Sequence, residues 1–98
     1  MEGPLTASIV TPPIATDGDA PAVAVQPQDA KYFHWAILMN PEASPAGEFS
    51  HDGFAAHAEP FPAGPSAIKF HPGSCLQGIA IRRVPGGVNL AGVRLIVG

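Results

Sequence analysis

The chain has 98 residues, including 11 glycines, 12 prolines and a single cysteine, with a formal net charge of −3. That length allows one domain, the lone cysteine excludes an internal disulfide, and five basic residues against eight acids argue against direct binding of nucleic acid, which needs clustered Lys and Arg. No run approaches the ~18 apolar residues of a membrane span, and MEGPLTASIV at the start has neither the basic nor the apolar part of a signal peptide, so synthesis in the cytoplasm and no membrane partner are expected.

Residues 1–30 carry four acids and no Lys or Arg, and within them TPPIATDGDAPAVAVQPQ (11–28) holds four prolines and only short aliphatic side chains. Such a segment is expected as an extended N-terminal arm. Fixing its backbone costs more than burial of Leu5, Ile9, Val10, Ile14, Val23 and Val25 returns. Order therefore requires pairing with a sheet edge, through LTASIV or AVAVQ as added strands. Fully extended, the arm outreaches a body of about 69 residues, so the sheet it joins is expected on a neighbouring molecule. Asp17-Gly18-Asp19 reads as a turn, since the further ligands of a calcium loop are missing.

KYFHWAILMN (31–40) offers two readings. As a strand it puts Phe33, Trp35, Ile37 and Met39 on one side and Tyr32, His34, Ala36 and Leu38 on the other, apolar on both, as between layers. As a helix it would start at Asp29 and stop at Asn40-Pro41. The aromatic density favours the strand.

The next stretch, a Pro-rich loop over 40–66, has prolines at 41, 45, 60, 62 and 65, which exclude a long central strand. Its Phe49, Phe54 and Phe61 are too apolar for a free linker and are expected to pin the loop onto the core or onto a neighbour. HDGFAAHAE places His51, Asp52, His57 and Glu59 close together. Imidazoles with a carboxylate make a common divalent-metal set, so His51, His57 and Glu59 are the candidate metal ligands. Hydrogen-bonded loop histidines are the simpler expectation, and no cofactor is expected. Cys75, four residues after His71, is expected to be a small core residue, because that spacing gives no activated thiolate.

SAIKFH (66–71) alternates as a strand. Within GIAIRRVPGGVNLAGVRLIVG, residues 78–97 read as a bulged hairpin: strand periodicity at Ile79 and Ile81, a tight turn at Pro85-Gly86-Gly87, and a bulge at Ala91-Gly92 bringing Val88, Leu90, Val93, Leu95 and Val97 to one face. Residues 60–98 carry Lys69, Arg82, Arg83 and Arg94 and no acid, so an acidic front and a basic back can attract each other within one chain or between copies.

The expected fold is thus all-β: a small antiparallel β-sandwich or half-barrel over 31–98, with an arm over 1–30. The expected function is non-enzymatic. It is that of a structural or assembly protein binding neighbouring subunits, like or unlike, through its arm and sheet edges, as a homo-oligomer or part of a symmetric particle. A virion accessory subunit, such as a bacteriophage capsid cement protein or a small head–tail or tail component, is the concrete case. Two other classes stay open: a small metal-binding β-protein or enzyme using the histidine loop, and a soluble adaptor recognising its partner through the Pro-rich loop.

Overall fold

Short runs rich in Val, Ile, Ala and Phe, broken every few residues by Gly or Pro, cannot support long helices and settle instead into short strands. The computed structural model describes residues 9–30, 33–70 and 78–98. Eight strands appear there: β1 (Ile9–Val10), β2 (Ala22–Val25), β3 (Ala36–Asn40), β4 (Gly47–Ser50), β5 (Glu59–Phe61), β6 (Ser66–Phe70), β7 (Ile79–Arg83) and β8 (Arg94–Val97). One helical turn, α1 (Pro27–Ala30), precedes β3, and among the described residues no helix is long and apolar enough to cross a membrane. The strands form two four-stranded sheets, β1-β8-β3-β6 and β2-β7-β4-β5, antiparallel throughout. The protein is an all-β sandwich.

Each sheet gives one face to a shared core. Ala36 and Leu38 of β3 and Leu95 and Val97 of β8 meet Ile79 and Ile81 of β7, Phe49 of β4 and Phe61 of β5, all buried. Phe49 stacks on Phe70 of the opposite sheet at 4.4 Å between ring centroids, which ties the two layers together. Gly47 is required where Phe61 crosses β4: a Cβ there would lie 2.6 Å from the Phe61 ring.

Only β4 and β5 are neighbours both along the chain and within a sheet. The hairpin expected over 78–97 is therefore corrected. The turn itself forms, with Gly86 at φ 75° and the Gly87 N–H donating to the Val84 carbonyl at 2.8 Å, the type II pattern for Pro then Gly. But both edges of β7 are taken by β2 and β4, so β8 passes to the other sheet. Gly92, at φ 76°, lies in this crossover. Leu90 and Val93 are both buried, while Val88 stands exposed.

The proline-rich segment 11–28 is held by its own chain. Strand β1 pairs with β8, Ile14 bridges Val93, and β2 pairs with β7. Where Pro12 and Pro13 interrupt the ladder, threonine hydroxyls act as extra acceptors. The Thr11 N–H donates to the Leu95 carbonyl at 2.8 Å and its Oγ1 accepts the Leu95 N–H at 2.9 Å. Thr16 repeats the device on Leu90, with bonds of 3.1 and 2.8 Å. The turn at Asp17-Gly18-Asp19 has Gly18 at φ 77°, and Asp19 Oδ1 accepts from Arg83 Nε at 2.8 Å and from the Gly86 N–H at 3.0 Å. A register shift between Val23 and Val25 turns Val25 into the core and leaves Val23 53% exposed, where plain alternation would have put both on one face.

Candidate functional site

The histidine loop between β4 and β5 is built on two polar side chains. Ser50, fully buried, accepts the N–H groups of Asp52 and Phe54 at 3.1 Å each and donates to Asp52 Oδ1 at 2.7 Å. Asp52 in turn accepts the N–H groups of Ala56 at 3.0 Å and His57 at 3.1 Å. These bonds, first the one from Ser50 and then those from the backbone, hold its carboxyl down at about 2 against a partial desolvation that raises it. A carboxylate so engaged organises the loop and has little left for a metal or a proton.

The loop does bring the candidate ligands together. The His51 and His57 rings overlap with centroids 4.0 Å apart and planes 30° from parallel, and His57 Nε2 lies 2.7 Å from Glu59 Oε2. His57 also meets the Phe49 ring edge-on at 6.1 Å, and its Nδ1 is buried with no hydrogen-bond partner among the described residues. Overlapped rings present π faces to each other, whereas two imidazoles sharing a metal must converge their nitrogen lone pairs. Among the described residues no group of three His, Cys, Asp or Glu is placed to hold a metal ion. His71 and Cys75 lie outside the described residues, as does Leu5.

The other side chains expected at an interface are distributed differently. Phe49 and Phe61 are core residues, 3% and 1% exposed, and so are closed to a partner. Phe54 lies over the outer face of the second sheet, its ring 4.1 Å from the Arg82 guanidinium carbon. Val25 is buried and Ile14 half-buried. Ile9 and Val10 are exposed and border a cleft of about 300 Å³ with Val25, Phe33 and Val97.

The outer face of the first sheet is the surface that sequence reasoning missed. Register defines two rows across it: Val10, Ile96, Ile37 and Lys69, then Arg94, Met39 and Ala67. Val10, Ala67, Lys69 and Arg94 are exposed, and Ile37, Met39 and Ile96 are half-buried. Trp35 flanks the first row, with Lys69 Nζ 5.8 Å from its ring. Neither row contains an acid, and among the described residues Lys69 and Arg94 make no ion pair. Beside the second row opens a cleft of about 400 Å³ lined by Pro13, Met39, Asn40, Pro41, Gly92 and Arg94. The signal available in the sequence was the two-sided apolarity of AILM at 36–39, which reads equally as a strand between layers or a strand with an unfinished outer face.

Comparison with protein-family models, with curated proteins and with solved structures finds no match for this chain.

Proposed function

We propose that this protein is a non-enzymatic structural subunit of a larger protein assembly, docking on a neighbour through the outer face of its first sheet. The observation that carries the reading is that face: contiguous aliphatic rows with Lys69 and Arg94 as their only charges. Large apolar patches with a polar rim mark interaction sites, and two cations without acids select a partner surface that is apolar at its centre and acidic at its edge. The cleft beside Met39 and Arg94 suits one protruding apolar side chain next to a carboxylate. A multi-copy particle, a virion among them, is the setting in which such a subunit works. The acidic N-terminal region, expected to provide the contact, is engaged within its own chain over residues 9–25, so the docking role passes to the sheet face.

The test is co-sedimentation from gently lysed producing cells. The wild-type chain is expected in a heavy fraction, and so is a His51→Ala/His57→Ala variant. A Met39→Asp/Arg94→Glu variant of unchanged circular dichroism is expected to stay at the top of the gradient. A wild-type chain that remains light, or a face variant that still sediments, overturns the reading.

A further inference from the structure

A sandwich of two open sheets has four edge strands, and an unguarded edge is a template for another strand. Among the described residues, three of the four are blocked by shortness, proline or a break in register. Strand β1, described over Ile9–Val10, runs into Pro12-Pro13. Strand β2 lies between Pro21 and Pro27 and is broken by the register shift at Val23/Val25. Strand β5 is three residues long with Pro60 at its centre, and a proline has no N–H to give to a ladder. Strand β6 is the least guarded: five residues, Ser66–Phe70, with no internal proline, an unbroken register of five pairs with β3, and Lys69 as its one edge charge. Its Ile68 and Phe70 pack against the core yet stay half-exposed, while Ala67 and Lys69 point outward and are exposed.

We infer that β6 is a self-association edge, pairing antiparallel with β6 of a second copy across a two-fold axis at Ile68. The strand fits itself in that register. Ile68 faces its symmetry mate, Ser66 faces Phe70 of the other copy, and Ala67 faces Lys69 of the other copy, so every residue of the strand pairs. Each lysine then lies across from an alanine. Centring the axis on Lys69 would set two ammonium groups directly opposite, which is destabilising in a sheet, and centring it on Ala67 would leave Lys69 and Phe70 without partners inside the strand. In the favoured register the half-exposed edges of Ile68 and Phe70 are covered, and the first sheets of two copies join into one continuous sheet. The occupant is a second copy because SAIKF opposes itself with neither a proline nor a like-charge pair, so one strand supplies both halves of an isologous contact. The inference goes beyond the proposed function and stands or falls separately from it.

Sedimentation equilibrium on the full chain, read together with two variants at the exposed position 67, tests it. Ala67→Glu places a carboxylate across from Lys69 of the other copy at two symmetric points, and Ala67→Lys places an ammonium there. Cross-strand charge pairs are worth enough that dimer dissociation should tighten roughly fivefold in the first and weaken roughly fivefold in the second. Adding Lys69→Glu to Ala67→Lys should restore the dimer. In the wild type, amide exchange in β6 should slow as concentration rises while exchange in β2 stays constant. A chain that is monomeric at millimolar concentration, variants that shift dissociation equally, or exchange in β6 that ignores concentration would each overturn the pairing. Co-sedimentation of the wild type and of the Met39→Asp/Arg94→Glu variant is read separately, so failure of the pairing and failure of the outer-face reading are told apart.

Discussion

The outer faces of the two sheets have been finished in opposite ways. On the second sheet, Ser50 and Ala80 point away from the core and are nevertheless buried, and the loop over 51–58 folds back onto that side, with Phe54 bonded to Ser50 and lying over Arg82. Its charges are matched as well, with Arg82 Nε 2.8 Å from Glu48 Oε1. On the first sheet, no described segment lies over Ile37, Met39 and Ile96 in this way, and Lys69 and Arg94 have no acid in their rows. A small sandwich can thus cover one outer face with its own loop while no described segment covers the other. What separates the two is that one loop, with a serine and an aspartate to hold it.

The largest effect should come from removing the support of that loop. Ser50→Ala deletes the acceptor of two backbone N–H groups and the donor to Asp52, and the loss of buried bonds of this kind costs about 2 kcal/mol. Urea unfolding should show that loss, with amide exchange rising over 52–57. A change below about 0.5 kcal/mol would mean that the loop is held by packing instead. Phe54 offers a finer comparison. It sits at φ 64°, a conformation that costs a non-glycine residue about 1 kcal/mol, and it persists there over Arg82. Phe54→Ala loses the cover and keeps the backbone cost, so about 1.5 kcal/mol is expected, from the packing and cation–π contact together. Phe54→Gly loses the same cover but relieves the backbone, and should come out about 1 kcal/mol milder than the alanine variant. Equal losses would show that the positive φ carries no penalty.

Legibility in the sequence followed the range of the interaction. The strands read over 31–40 and 66–71 and the turn at Pro85-Gly86-Gly87 rest on alternation and on local backbone preferences; the turn forms, and the strands form over Ala36–Asn40 and Ser66–Phe70, with 33–35 outside the strand. The partnering of β7 depends on which distant strands occupy its edges, and no feature of IAIRRVPGG tells that β2 and β4 do so. The same holds for Thr11 and Thr16. Their hydroxyls matter because Leu95 and Leu90, more than seventy residues away, present N–H groups to them. The bulge that separates Val23 from Val25 is equally silent in AVAV. In the candidate site, the nearness of His51, His57 and Glu59 was readable from spacing, while their engagement with one another was not, since it follows from the anchoring of Asp52 by Ser50. The bare face was missed for a simpler reason: an apolar residue on a strand does not state whether a second layer lies above it.

The anchoring of Asp52 also predicts a dependence on pH. Its folded-state value is depressed, to about 2 from 3.8, so its contribution is fully present above about pH 4 and is lost as pH falls from there through about 2. Asp19, lowered first by its bond from Arg83 and then by that from Gly86, acts in the same direction. Both carboxylates remain in contact with solvent, which reduces what they contribute. Stability measured by denaturant from about pH 5 down to about pH 2 should fall, and Asp52→Asn should be less stable at the upper end and lose part of that slope. An unchanged slope in the variant would assign the acid sensitivity to other groups.

The smallest effect is expected on the bare face, and there a small number is the informative result. Ile37 is half-buried on the outer side of a central strand, so Ile37→Thr keeps the β-branched shape and forfeits only part of the burial, about 0.5 kcal/mol in the isolated chain. A residue placed there for the fold would cost several times more on truncation, as core positions do. If Ile37→Thr leaves the denaturation midpoint nearly unmoved while weakening co-sedimentation, the aliphatic rows are there for a neighbour. If it destabilises the isolated chain by about 2 kcal/mol or more, as a core truncation does, the first sheet is as fully covered as the second, and the contrast between the two faces disappears.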